Sequence, residues 1–189
     1  ERRAVTQPAP PEVALVRELH AGEVSLRLYR PLGSRAEQVL PVLVYFHGGG
    51  WVIGDLDTHD TLCRQLANGS DCAVVAVDYR MAPEHRFPVA VEDAVAATRW
   101  VRERAAEHAL DPERMAVGGD SAGGNLAAVI ALTARAEGDL PLAFQLLIYP
   151  STDQRRLTPS HQTKSEGYLL TNDTMTYFHD HYIGEKKND

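Results

Sequence analysis

The chain has little of what would mark several protein classes. Only two of its 189 residues are cysteine, Cys63 and Cys72, and their separation fits neither a zinc site nor a redox pair. They read as two reduced thiols, which predicts a cytoplasmic protein without a disulfide frame. Basic residues are fewer than acidic ones and the formal net charge is −7, which argues against a nucleic-acid partner. No apolar run is long enough to span a bilayer. Internal repeats and low-complexity tracts are absent, and histidines and acids nowhere recur at a metal-ligand spacing. His59 and Asp60 lie near Asp55 and Asp57 without such a spacing, and His179 and His181, two apart on a predicted helix, diverge.

What remains is an ordinary globular composition, 44% hydrophobic and 24% charged, long enough for one domain with a real core. Strands are predicted at Ala14–Leu19, Val24–Tyr29, Pro41–Phe46, Ala73–Asp78, Met115–Gly118 and Ala143–Tyr149. Helices are predicted over Asp57–Asn68, from Pro88 to about His108, over Asn125–Glu137, and from an N-cap at Thr171 to about Tyr182. In the second helix Val91, Val95, Thr98, Val101 and Ala105 form the expected core face. Residues 1–12 are polar and proline-rich, a loosely packed lead-in. The alternation of strand and helix after Tyr79 predicts a mostly parallel α/β sheet.

Gly119-Asp120-Ser121-Ala122-Gly123 lies between a predicted strand and a predicted helix. In that setting a G-x-S-x-G sequence forms a tight, strained turn with the serine hydroxyl thrust outward as a nucleophile. The strand ending at Phe46 runs into His47-Gly48-Gly49-Gly50-Trp51. Successive glycines leave backbone amides bare, able to hold an oxygen that becomes negative during acyl transfer. Ser121 is therefore the candidate nucleophile, and Gly48, Gly49, Gly50 and Ala122 are the candidate oxyanion donors. His47 belongs to the donor loop and cannot approach the serine from the opposite side as a base must. Trp51 is expected to be a pocket wall or core residue, and Asp120 to hold its own turn rather than to orient a histidine. Glu84, His85 and Arg86 are expected in a solvated or hydrogen-bonded loop, which Arg80 braces by ion pairing.

These two motifs resemble those of the hormone-sensitive-lipase-like carboxylesterases of the α/β-hydrolase fold, close to the bacterial members. Asp78-Tyr79-Arg80, Ala82-Pro83-Glu84, Phe87-Pro88, Tyr149-Pro150 and Gly167-Tyr168-Leu169-Leu170-Thr171 agree with it, and the resemblance runs from about Ala14 onward. It implies a serine esterase acting on short- to medium-chain esters through an acyl-serine, with no metal or organic cofactor. It implies an α/β-hydrolase core over residues 1–150 and the start of a cap over 151–189. The family's triad histidine and acid follow later strands, so Asp153, just past the last predicted strand, is not the expected acid. The resemblance thus makes the chain the N-terminal part of a longer polypeptide, inactive alone, whose expected partners are an ester substrate and the remaining C-terminal segment, with a homodimer left open. The same fold also hosts plant hormone receptors that keep the serine and lose the histidine, so a non-catalytic binding role is the alternative.

Overall fold

The computed structural model describes residues 9–184. The first eight residues of the predicted lead-in and the last five of the chain lie outside that range.

The six strands are β1 (Leu15–Ala21), β2 (Val24–Arg30), β3 (Leu40–Phe46), β4 (Ala73–Asp78), β5 (Leu110–Asp120) and β6 (Phe144–Ile148). They form one sheet in the order β1-β2-β4-β3-β5-β6. β1 and β2 are an antiparallel hairpin turned at Gly22, and β2 is antiparallel to β4. From β4 to β6 every pairing is parallel, which requires a crossover helix between successive strands. Those crossovers are α1 (Asp60–Ser70), α2 (Val89–Glu103) and α3 (Ala122–Glu137). The mostly parallel sheet with helices on both faces is the expected fold class.

β3, and β4 from Ala73 to Val77, are unbroken apolar runs because both faces are covered. Alternate residues go to opposite sides. Val42, Val44 and Phe46 pack with Val75, Val77, Met115 and Val117 under α2 and α3, while Leu43, Tyr45, Val74 and Ala76 pack with Cys63 and Ala67 of α1. Each buried Val, Leu, Phe or Met among them contributes about 1.5–3 kcal/mol.

Four expectations need correction. The second helix ends at Glu103, and a separate 3-10 turn, Ala105–His108, follows before Ala109 turns left-handed at φ 51°. Its buried face is Ala90, Asp93, Ala94, Ala97, Thr98 and Val101, with Val91 and Val95 only half-buried. Small side chains let the helix lie close to the sheet and to α3, and the Asp93 carboxylate is held on the same face by the Arg80 amide and guanidinium (2.9 and 2.7 Å). Arg80 thus clamps α2, with a further ion pair to Glu23, instead of bracing the loop at Glu84–Arg86. The clamp satisfies a carboxylate whose burial would otherwise be costly. Fourth, β6 is not a fully buried strand: among the described residues it pairs with β5 alone, and Phe144 is 64% exposed.

Beyond β6 lies the short helix α4 (Pro159–Thr163). Helix α5 (Asn172–Ile183) follows, with Thr171 Oγ1 accepting the Thr174 amide as the predicted N-cap.

Candidate active site

The register of the sheet brings the two motifs together. Phe46 at the end of β3 pairs with Gly119 near the end of β5. The loops leaving the carboxyl ends of two neighbouring parallel strands therefore meet, which is where open α/β sheets form their binding crevices.

Ser121 stands between β5 and α3 at φ 53°, ψ −114°, a conformation that costs a residue with a side chain on the order of 1–3 kcal/mol. Its surroundings over-determine it. The Ser121 amide donates to Ile148 O (2.9 Å), and its carbonyl accepts from the amides of Asn125 and Ser151 (both 3.1 Å). The flanking glycines are steric necessities. A Cβ on Gly123 would lie 1.8 Å from Phe46 O, and one on Gly119 would lie 2.4 Å from that same oxygen. α3 begins at Ala122, earlier than the predicted Asn125, so Ser121 lies immediately before its first turn.

The glycine loop is equally crowded. Gly49 turns at φ 132°, its carbonyl accepts from the amides of Val52 and Ile53, and a Cβ there would meet Ile53 O at 1.8 Å. Among the described residues, the amides of Gly49, Gly50 and Ala122 have no acceptor. Gly48 differs from them. Its amide donates to Asp120 Oδ1 at 3.0 Å, which takes it out of the set of free donors proposed from sequence. The reason is steric as well as polar, since the carboxylate lies where a Gly48 Cβ would be, 2.2 Å from Oδ2.

Asp120 does more than hold its own turn. Its Oδ1 also accepts from the Tyr45 hydroxyl at 2.8 Å and faces His59 Nε2 at 3.2 Å. The expectation that Asp120 orients no histidine is therefore corrected: β3 and the segment before α1 both converge on it. Burial works to raise its pKa, but the hydrogen bonds from His59, Tyr45 and Gly48 outweigh it and hold the carboxyl below the ordinary value.

His47 is buried and stacked on Tyr79 with ring centroids 4.5 Å apart. Its Nδ1 lies 2.9 Å from Gly48 O, and the Tyr79 hydroxyl donates to His47 O at 2.7 Å. Burial pushes its pKa below the ordinary histidine value, so the ring is neutral and Nδ1–H is the donor to Gly48 O. This is a brace inside the loop.

Trp51 is a core residue, stacked on Tyr182 of α5 at 4.4 Å with the rings nearly parallel. α5 lies over the glycine loop, with the Phe178 ring where a Gly50 Cβ would be. Ile53, Asp173, Thr174, Tyr177 and Phe178 line an open cavity of about 460 Å³ beside it.

The other candidates go elsewhere. Asp60 accepts from Tyr29 and Arg64, while His59 turns to Asp120, so the two do not converge on a common ligand. His181 Nδ1 contacts Tyr177 O, and His179 faces Asp180. Asp153 is bound by the Arg155 amide and guanidinium, which hold its pKa down at about 2. Burial pushes the Cys63 thiol up to about 12, so it is unreactive, and Cys72 donates to Ser70 O. No described helix is long and apolar enough to cross a membrane.

Known proteins show the same arrangement of sequence and fold. The profile of the alpha/beta hydrolase fold family matches residues 43–189. Esterase LipI of Mycobacterium tuberculosis is 48% identical over 182 residues, covering 95% of this chain and 57% of the relative. Carboxylesterase NlhH of the same species is 48% identical over 161 residues, 85% of this chain and 50% of the relative. Among solved structures, an alpha/beta hydrolase enzyme from the metagenome of Lake Arreo superposes with a TM-score of 0.91 at 46% identity, covering 96% of this chain and 58% of the other. An ester hydrolase from that metagenome, complexed with a derivative of bipyridine phosphonate, gives 0.90 at 48% identity, covering 94% and 57%. The chain spans about half the length of the curated relatives it matches. By these matches the chain belongs to the alpha/beta-hydrolase family, among its hormone-sensitive-lipase-like esterases.

Proposed function

We propose that this chain is the nucleophile-bearing part of a serine carboxylesterase. The observation that carries the reading is the strained Ser121 turn set against a glycine loop whose Gly49 and Gly50 amides are free, with the Ala122 amide free beside the serine. Relatives named esterases across most of the chain support it.

In this reading Ser121 Oγ attacks the ester carbonyl as a histidine removes its proton. The carbonyl oxygen becomes an oxyanion held by the amides of Gly49, Gly50 and Ala122. The tetrahedral adduct collapses, the alcohol leaves with the proton from the histidine, and an acyl-serine remains. Water, deprotonated by the same histidine, then releases the acid and restores Ser121. No metal or organic cofactor enters these steps.

The histidine and its acid belong to chain beyond these residues. Among the described residues, no histidine hydrogen-bonds to Ser121, and His47 and His59 are engaged with Gly48 and Asp120. In this reading the described residues up to 150 belong to the core and those from 151 begin a cap, with α5 lying over the glycine loop. The remaining C-terminal segment would add a strand to the open side of β6. Substrates are water-soluble esters with short to medium acyl chains, hydrolysed in the cytoplasm.

The test is labelling of the complete protein with a fluorophosphonate, read by peptide mass spectrometry. Label on Ser121, lost in Ser121→Ala, is expected. An unlabelled Ser121 in folded protein would overturn the reading and favour a binding role.

A further inference from the structure

We infer that His59 is a positioning residue for the oxyanion loop, acting through Asp120. The inference rests on the esterase reading above for its kinetic consequence, but not for its geometry.

Asp120 joins the two halves of the site. It directly precedes Ser121, and it accepts the amide of Gly48, which directly precedes Gly49 and Gly50. Any shift of this carboxylate alters the distance between the serine and the two free amides. The carboxylate is clamped against Gly48 without slack. Its Oδ1 accepts from Tyr45 on β3 and from Gly48 in the loop, and it faces His59 Nε2, before α1, at 3.2 Å. Tyr45 and Gly48 belong to the same continuous stretch of chain. His59 is the independent third contact on Oδ1, from a segment to which neither Tyr45 nor Gly48 belongs.

The segment that presents His59 is itself built. Asp55 and Thr58 bond reciprocally, Thr58 N to Asp55 Oδ1 at 2.7 Å, Asp55 N to Thr58 Oγ1 at 3.0 Å and Thr58 Oγ1 to Asp55 O at 2.8 Å. His59 Nδ1 then rests on Thr58 Oγ1 at 3.0 Å, leaving Nε2 aimed at Asp120. An ionised carboxylate only accepts, so Nε2 presents a hydrogen to it. The segment starts at Gly54, which abuts the His47 ring, so it brackets the glycine loop from both ends. An ordinary surface histidine needs neither arrangement, and His59 is only 19% exposed in its side chain.

Loss of a donor to a carboxylate that aligns oxyanion amides should slow the chemical step more than it weakens substrate binding. The experiment compares His59→Gln, His59→Asn and His59→Phe in the complete protein, with a short-chain p-nitrophenyl ester. Glutamine places an amide donor near the position of Nε2, asparagine falls short of it, and phenylalanine has none. The expected result is kcat within about threefold of wild type for Gln, and lower by about tenfold or more for Asn and Phe, with KM within about twofold throughout. The thermal midpoint should not track kcat. Where Phe does not fold, the Gln–Asn pair decides alone. Equal kcat in Gln and Asn, or a KM effect of the same size as the kcat effect, would overturn the inference. The Gly48 amide resonance in a 1H–15N spectrum gives a readout free of catalysis. It should move in Asn and stay in Gln, and an unmoved resonance in both would overturn the linkage. An inactive wild type whose Gly48 resonance behaves as expected would sink the esterase reading and leave the positioning role standing.

Discussion

Asp120 Oδ1 accepts the backbone hydrogen of Gly48 at 3.0 Å, across 72 residues of sequence. This one bond ties the turn that carries Ser121 to the loop that carries Gly49 and Gly50. Its strength depends on ionisation, because a protonated carboxyl is a poorer acceptor.

Replacing Asp120 by Asn should therefore cost about 1.5–3 kcal/mol of stability at neutral pH. The pH dependence has a definite sign. The folded-state pKa is held below the unfolded value, so the contribution is fully present above about pH 4 and is lost as pH falls through the folded value. Urea unfolding of wild type and Asp120→Asn at pH 7 and at pH 3 should show the difference shrinking toward the acid end. A constant difference would mean that charge is not what Asp120 contributes.

At Gly123 the prediction is steric. Ala at this position would put a methyl 1.8 Å from Phe46 O, and β3 is too firmly paired on both sides to retreat. Gly123→Ala should destabilise by about 3 kcal/mol or more, or prevent folding. Gly138→Ala is the control. It ends α3 at φ 71° but meets nothing within 4 Å, so it should cost only about 1 kcal/mol. Comparable midpoints for the two in thermal melts would refute the clash.

Much of this site was legible in the sequence, because glycine carries positional information. Gly119, Gly123 and Gly49 stand where a Cβ would strike backbone, and such positions announce themselves as motifs. The strands were legible for a similar reason, as apolar runs such as the one from Ala73 to Val77. What did not show were contacts that depend on register. That Asp120 would meet Tyr45, Gly48 and His59 follows from the β3–β5 alignment, which no local pattern encodes. Had that pairing been assumed, an acid beside the end of β3 would have pointed to the Gly48 amide. The buried face of α2 was misread because alanine, the weakest hydrophobic signal, forms it, and because Asp93 is buried with Arg80. The placement of Phe178 on Gly50 is likewise tertiary.

The Ser121 backbone makes a prediction that separates strain from chemistry. Alanine and serine both carry a Cβ and share the cost of φ 53°, whereas glycine does not. Ser121→Gly should be about 1 kcal/mol more stable than Ser121→Ala, after allowance for glycine's greater unfolded-state entropy. Both variants should fail to hydrolyse esters. Equilibrium unfolding of the two side by side checks the first statement, and hydrolysis near the wild-type rate in either would refute the second.

Gly49 tests the proposed donors directly. A Cβ at φ 132° beside Ile53 O forces the loop open, displacing the Gly49 and Gly50 amides together. Gly49→Ala in the complete protein should lower kcat by roughly a hundredfold or more with a smaller change in KM. A change confined to KM would mean that these amides bind the ground state only.

His47 should govern stability in a second, higher pH window. Burial holds the folded-state pKa below the ordinary histidine value of 6.5, so the unfolded chain binds the proton first. The stability that the neutral, stacked ring contributes is therefore fully present above about pH 6.5 and declines as pH falls below it. Protonation would set an imidazolium against Tyr79 with its Nε2 buried and without a partner. It would also bring that charge within 5.5 Å of the His59 ring. In His47→Gln the fall of unfolding free energy between pH 7 and pH 5 should flatten, while the fall below pH 4, set by Asp120, should persist. Each slope can be read from denaturant midpoints at half-unit pH steps. A wild-type profile that is level from pH 7 to pH 5 would show that the His47 ring takes up its proton without disturbing the loop, and would remove it as the brace of Gly48.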